Sequence, residues 1–241
     1  MKKRLDLFLH QKYPEYSRRY IQSLIKQGNV TVNGVITIKV ATEIKEYDVV
    51  VLNKVESEYV SRAGFKLARA LESFNISVEG LVALDAGLST GGFTDCLLQH
   101  GIKKVFGVDV GHGQVHEKIK KDQRVHIMEK TNLRHIDSLP ELVDLVTLDL
   151  SFISVLLVIP ILLRLLKRGG QLIVLIKPQF EATKNLIGRG GIIKDSKLHE
   201  SIVNKVVQGI TESGFIHNGT IDSPILGSEG NKEFLAYFYR K

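Results

Sequence analysis

The chain has 241 residues, enough to bury one large core or two unequal ones, and its 24% charged and 44% hydrophobic content is that of an ordinary globular protein. Cys96 is the only cysteine, which excludes a disulfide framework and a CxxC zinc site. The formal net charge of +7 is unevenly spread: residues 1–56 carry ten Lys/Arg against six Asp/Glu, and the other 185 carry 23 against 20, so the leading segment is the candidate polyanion binder.

The charged, amphipathic start lacks the long apolar core of a signal peptide. The most apolar stretch, Leu150 to Leu163, is interrupted by two serines and a proline and stopped by Arg164, too short for a membrane span. A cytoplasmic protein without membrane contact is expected.

Lys3 to Gln11 sets Leu5, Phe8 and Leu9 at helical spacing. A turn follows through Tyr13, Pro14 and Glu15, because proline disfavours a helical conformation at the residue before it. Ser17 is placed to cap a second helix with the apolar face Tyr20, Ile21, Leu24 and Ile25, and Gly28 supplies a left-handed residue past its end. Val30 and Val32 alternate as a strand, Asn33-Gly34 is a strong hairpin signal, and Asp48 to Leu52 reads as a further strand. Residues 1–56 therefore form a helix–helix–sheet unit. Residues 53–60 show no periodicity, and a linker is expected over 57–60 ahead of a second domain at 61–241.

In that second domain strands alternate with helices. Strands are expected at Leu81–Leu84, Val105–Val108, Val125–Met128, Val143–Leu148 and Leu172–Ile176, with helices such as Phe93–His100 and Val155–Lys167 between them. Several strands are unbroken apolar runs, as when both faces of a parallel sheet are covered. A helix over Ser196–Ser213 and strands near Phe215–Ile221 and Phe234–Arg240 close the chain. The fold class is α/β, a doubly wound, mainly parallel sheet, in which ligands sit beyond the carboxyl ends of the strands.

Polar residues fall on that edge. Asp85 and Gly87 end the first strand, Asp109 the second, Asp149 the fourth and Lys177 the fifth. Glu233 begins the final strand, which starts at the same edge if antiparallel, and Lys66 lies in the first turns of a helix opened by Ser61. The loop Asp85 to Phe93 is glycine-rich but is not GxGxxG, so it does not fit a dinucleotide fingerprint. Asp109 lies about 24 residues beyond Asp85, where an acid can accept hydrogen bonds from ribose hydroxyls. An adenosine-bearing cofactor suits that combination. His112 and His116 are four apart without further partners of metal-ligand type, and no metal site is expected.

Two resemblances follow. Arg4-Leu5-Asp6, Ser17-Arg18, the run from Leu24 to Gly34 and Tyr47-Asp48 resemble the RNA-binding domain named after ribosomal protein S-four. This implies phosphate contacts from Arg4, Arg18, Arg19 and Lys26 and a grip on structured RNA by shape. Ser61 to Leu67, Asp85 to Asp95, Val108 to Gln114, Lys130-Thr131-Asn132, Asp149 to Ser154, Ile176 to Glu181 and Gly230 to Phe234 resemble the TlyA/hemolysin A family of FtsJ-like methyltransferases. The resemblance covers the whole chain and implies a Rossmann-like class I methyltransferase domain. It further implies S-adenosylmethionine as donor and the 2′-hydroxyl of a ribose, cytidine being the described target, in ribosomal RNA or ribosomal subunits as acceptor. By the same resemblance Lys66, Asp149, Lys177 and Glu233 form a catalytic quartet, and Asp85, Gly87, Ser89, Gly91, Asp109 and Asn132 hold the cofactor. Leu88 stands where the family has a smaller residue and is a candidate to crowd the cofactor; Ala63 and His112 also depart from the pattern.

Two roles are open for Lys177: a base that takes the hydroxyl proton, or a cation that holds the oxygen and stabilises its developing charge. Competing classes are a ribosome-assembly factor with a vestigial cleft, a membrane-active hemolysin and a pseudouridine synthase. The last needs a mostly β catalytic domain, against the alternating pattern here.

Overall fold

The computed structural model describes residues 3–14, 16, 18–26, 28–53, 58–183, 186, 188, 191–227 and 230–241, with the side chains of Arg19 and Ser23 outside the description. The chain divides into two compact units, residues 1–58 and 59–241.

In the leading unit β1 (Lys3–Arg4) runs into α1 (Leu5–Lys12), followed by α2 (Arg18–Lys26), β2 (Val30–Val32), β3 (Val35–Ile36), β4 (Glu43–Ile44) and β5 (Val50–Leu52). Leu5 and Leu9 of α1 meet Ile21, Leu24 and Ile25 of α2 over Val30, Ile44, Val50 and Leu52 in one buried core. Each such aliphatic side chain contributes roughly 1.5–3 kcal/mol when fully buried. Asn33 (φ 52°) and Gly34 (φ 80°) both take the left-handed conformation that a two-residue hairpin needs, joining β2 to β3. The first helix starts two residues later than its apolar spacing suggests, because Lys3 and Arg4 pair with Ile44 and Glu43. The last strand starts at Val50 rather than Asp48, whose carboxylate accepts from the Lys45 N–H and the Asn33 amide instead. The expected cap Ser17 and residues 54–57, which include the first residue of the expected linker, lie outside the described residues.

The second unit contains α3 (Ala63–Ser73), β6 (Val82–Ala86), α4 (Gly92–Gln99), β7 (Lys104–Val108), α5 (Glu117–Lys120), β8 (Val125–Met128), β9 (Val143–Leu148), α6 (Ile159–Leu165), β10 (Leu166–Ile176), α7 (Pro178–Glu181), α8 (Ser196–Glu212), β11 (Phe215–Asp222) and β12 (Phe234–Arg240). Its seven strands are ordered β11-β12-β10-β9-β6-β7-β8. The five from β10 to β8 are parallel, and β12 runs antiparallel to both neighbours. Leu172 to Ile176 of β10 are completely buried, which explains their unbroken apolar run.

From β6 the chain winds outward through β7 and β8, then returns to build β9 and β10 on the other side. The order therefore reverses between β6 and β9, the position where doubly wound sheets open a cleft. Two elements differ from expectation. The helix over Val155–Lys167 is a 3-10 turn, Val155–Leu157, and then the short α6, with Pro160 in its first turn. β10 starts at Leu166 rather than Leu172, with an irregular register between Leu166 and Gln171 around Gly169 and Gly170.

Candidate active site

Four loops meet at the carboxyl edge around the reversal point. They enclose a cavity of about 460 Å³ lined by Gly87 and Ser89 after β6, Asp109 to Gly111 and Gln114 after β7, Thr131 to Leu133 after β8 and Asp149 to Ile153 after β9. That volume lies in the range of small-molecule sites.

The floor is set by backbone geometry. Gly87 has φ +91°, and a Cβ there would lie 2.3 Å from the Asp149 carbonyl oxygen, so glycine alone lets the loop cross the end of β9. Ser89 is held at φ 49°, unusual for a residue with a side chain. Its N–H donates to Asp109 Oδ2 at 2.7 Å, and the Gly111 N–H donates to Asp109 Oδ1 at 2.6 Å. Asp109 thus ties the loops after β6 and β7 together, and each of its oxygens keeps a further lone pair for a ligand hydroxyl. Asn132 caps the next turn through its side-chain oxygen, which accepts from Arg134 N–H. Val108, Val110, Leu133, Leu150, Ile153 and Val158 provide apolar wall. An aromatic base on an apolar wall with its ribose toward an aspartate fits these residues.

Asp85 and Gly91 are not among the lining residues. Asp85 is fully buried below the loop, its two oxygens accepting from Thr94 Oγ1 at 2.7 Å and Thr147 Oγ1 at 2.9 Å. Burial raises its carboxyl to about 6, the two hydroxyls oppose that shift, and the nearby Asp149 charge adds to it. Gly91 starts α4 at φ +98° against Ile119. Leu88 is turned into the core against Gly107, so the expectation that it crowds the cleft is corrected: its bulk lies on the other side of the loop.

Beside the cavity stand two ion pairs. Lys177 Nζ lies 2.6 Å from Asp149 Oδ1 and donates to Ser151 Oγ at 2.9 Å. Lys66 Nζ, from the second turn of α3, lies 2.5 Å from Glu233 Oε2. All four residues are largely withdrawn from solvent. Ile176 is paired with Phe234 across β10 and β12, so the next step of the register sets Lys177 opposite Glu233. The row Asp149, Lys177, Glu233, Lys66 alternates in sign across β9, β10, β12 and α3. No side chain caps α3: the Ser61 carbonyl accepts from Gly64 N–H and the helix begins at Ala63.

Three parts of this region carry no sequence assignment. Ser151 is one, visible beforehand only as a hydroxyl two residues past Asp149. Glu181 is another: its carboxylate accepts from Ser154 Oγ at 2.5 Å and Val155 N–H at 2.8 Å, pinning the loop that begins at Asp149. Burial pushes its carboxyl upward against those two bonds. Phe152 is the third. It stands 90% exposed at the cavity mouth on a left-handed backbone (φ 65°), its ring 5.0 Å from that of Phe180.

His112 pairs with Glu129, and His116 caps α5 through Nδ1, which accepts from Lys118 N–H. Among the described residues no three or more His, Cys, Asp or Glu are grouped to hold a metal ion, and no helix is long and apolar enough to cross a membrane. In the leading unit Arg4 and Arg18 are half-exposed and Lys26 is exposed on α2. The Arg19 side chain lies outside the described residues.

A doubly wound sheet with a nucleoside-sized cleft at its reversal point, a glycine turn below it and an acid after the second strand suits an adenosine-bearing cofactor. Residues 59–240 match the family model for FtsJ-like methyltransferase, and residues 3–50 match the S4 domain. The chain belongs to the FtsJ-like methyltransferase family. It is 43% identical over 239 residues to "Hemolysin A" of Brachyspira hyodysenteriae, covering 98% of this chain and 99% of that one. It is 38% identical over 237 residues to the "16S/23S rRNA (cytidine-2'-O)-methyltransferase TlyA" of Mycobacterium tuberculosis, covering 97% and 88% respectively. The solved structure "Putative hemolysin from Streptococcus thermophilus" superposes with a TM-score of 0.79 at 38% identity, covering all of this chain and 89% of that one.

Proposed function

We propose that this protein methylates the 2′-oxygen of a cytidine ribose in ribosomal RNA, with residues 1–56 gripping structured RNA and residues 61–241 carrying the chemistry. The row Asp149, Lys177, Glu233, Lys66 beside a nucleoside-sized cleft carries this reading. A hydroxyl acceptor requires a group to orient its oxygen and receive its proton, and an alternating row of buried charges offers both.

S-adenosylmethionine supplies an activated methyl on a sulfonium. Asp109 and Asn132 would hold its ribose and base side, and Gly87 and Ser89 would pass below it. Asp85 acts from beneath by fixing the loop through Thr94 and Thr147, and Gly91 by turning the chain into α4.

Lys177 Nζ meets the acceptor hydroxyl and aligns the oxygen for in-line attack; having first released one of its own protons to solvent, it takes the hydroxyl proton as the new O–C bond forms and the sulfonium S–C bond breaks. Asp149 and Ser151 hold that nitrogen in place. Lys66 and Glu233 complete the row from the next strand and from α3. The exposed Phe152 ring gives the acceptor base a stacking surface at the mouth. Arg4, Arg18, Arg19 and Lys26 supply phosphate contacts. A ribosomal RNA substrate places the protein in the cytoplasm.

Radiolabelled methyl transferred to ribosomal RNA should survive alkaline hydrolysis in dinucleotides, because a blocked 2′-oxygen cannot attack the adjoining phosphate. Label recovered only in mononucleotides would mean methylation of a base and would overturn the proposal.

A further inference from the structure

We infer that Asp6 is a positioning residue for RNA binding: a buried anion that locks Arg4 and Arg18 into one preformed guanidinium pair. The inference rests on the reading that these arginines contact RNA. Asp6 is completely buried in α1, although aspartate is rarely buried without partners. Arg4 Nε and Nη2 donate to its two oxygens at 3.0 and 3.3 Å. Arg18 Nε and Nη2, from the first turn of α2, donate to Oδ2 at 3.0 and 2.9 Å, and Gln22 Nε2 donates to the same oxygen at 2.9 Å. Each guanidinium spends two of its five N–H donors on Asp6, and both side chains remain almost half exposed.

The carboxylate is the wrong charge for a polyanion-binding surface, and it sits below that surface rather than on it. Its partners explain its presence. Two free arginines would repel each other and lose considerable rotamer freedom on meeting RNA. Held on one carboxylate oxygen, their donor nitrogens lie within about 6 Å of each other, at most two hydrogen-bond lengths, and the side chains have already lost that freedom. Preorganisation of this kind improves affinity by lowering the cost of ordering on binding.

The test is the affinity of the full-length protein for purified ribosomal RNA across a salt series, together with steady-state methyl transfer. Removing a negative charge should by simple electrostatics tighten RNA binding. Asp6→Asn is instead expected to weaken it about tenfold, as expected when a charge-assisted bidentate anchor is lost, raising KM for RNA with kcat and S-adenosylmethionine affinity unchanged. In an Arg4→Ala/Arg18→Ala background the same change should have no further effect. Arg18→Lys keeps a cation beside Asp6 but loses the fork, and should weaken binding several-fold in protein whose far-ultraviolet circular dichroism matches wild type. Unchanged or tighter binding by Asp6→Asn or Arg18→Lys, with the double alanine variant impaired, would overturn the inference. No effect of the double alanine variant would instead remove the reading beneath it.

Discussion

Replacing Asp85 with asparagine tests whether the cofactor loop rests on an energetically costly buried charge. Burial places the Asp85 carboxyl at about 6 in the folded protein against an ordinary 3.8. Two units correspond to roughly 3 kcal/mol, the penalty for folding with Asp85 ionised at pH 8. The sign follows from proton linkage: between pH 3.8 and 6 the folded state binds the proton and the unfolded state has released it, so stability falls as pH rises through that window. At pH 5 about half of the penalty is already present, leaving about 1.4 kcal/mol to develop between pH 5 and pH 8. Asparagine keeps the shape and carries no charge, at a cost of about 1 kcal/mol for a less suited partner of Thr94 and Thr147. Asp85→Asn should therefore be close to wild type at pH 5 and more stable at pH 8. In thermal melts followed by far-ultraviolet circular dichroism without cofactor, the difference between the two proteins should shift by about 3–5 °C between those pH values. A difference independent of pH, or a variant that loses stability at pH 8, would refute the reasoning.

Other consequences can be checked separately. Gly87→Ala combines a left-handed backbone with a Cβ 2.3 Å from a carbonyl oxygen; a stability loss of at least about 2 kcal/mol and a clear loss of S-adenosylmethionine binding by calorimetry are expected. Glu233→Gln strands the Lys66 ammonium and should cost about 3–5 kcal/mol along with methyl transfer. Lys66→Met/Glu233→Leu should recover most of that stability but no activity, which chemical denaturation and a transfer assay would resolve. Phe152→Ala should leave the melting temperature unchanged, since the ring is 90% exposed, while weakening productive RNA binding five- to a hundredfold, the range of one lost base stack. That effect should appear in KM for RNA and not in cofactor affinity.

The sheet was readable because strands buried on both faces are written as unbroken apolar runs, and the residue after each run falls on the ligand edge. Asp109, Asp149 and Lys177 are found at those positions. The register that sets Glu233 opposite Lys177 follows from the antiparallel last strand. Less legible were features decided by which way a side chain turns. Asp85 points down between two threonines rather than into the cleft, and Leu88 points into the core, yet neither direction is encoded in the spacing of a glycine-rich loop. Lys3–Arg4 and Glu43–Ile44 are too short to show any period, so their pairing is invisible before folding. β10 begins early because Gly169 and Gly170 permit a register irregularity through the polar Lys167-Arg168, which carries no strand signal. The exposed Phe152 also gave no warning, since an aromatic amid Leu150, Ile153 and Val155 reads as core.

The most direct measurement is nucleoside mass spectrometry of ribosomal RNA incubated with S-adenosylmethionine and either wild-type protein or Lys177→Ala. Wild-type protein should produce 2′-O-methylcytidine and the variant none, while both bind S-adenosylmethionine and RNA with similar affinity. A methyl group found on a base, or 2′-O-methylcytidine formed at near-normal rate by Lys177→Ala, would contradict the assignment of this site.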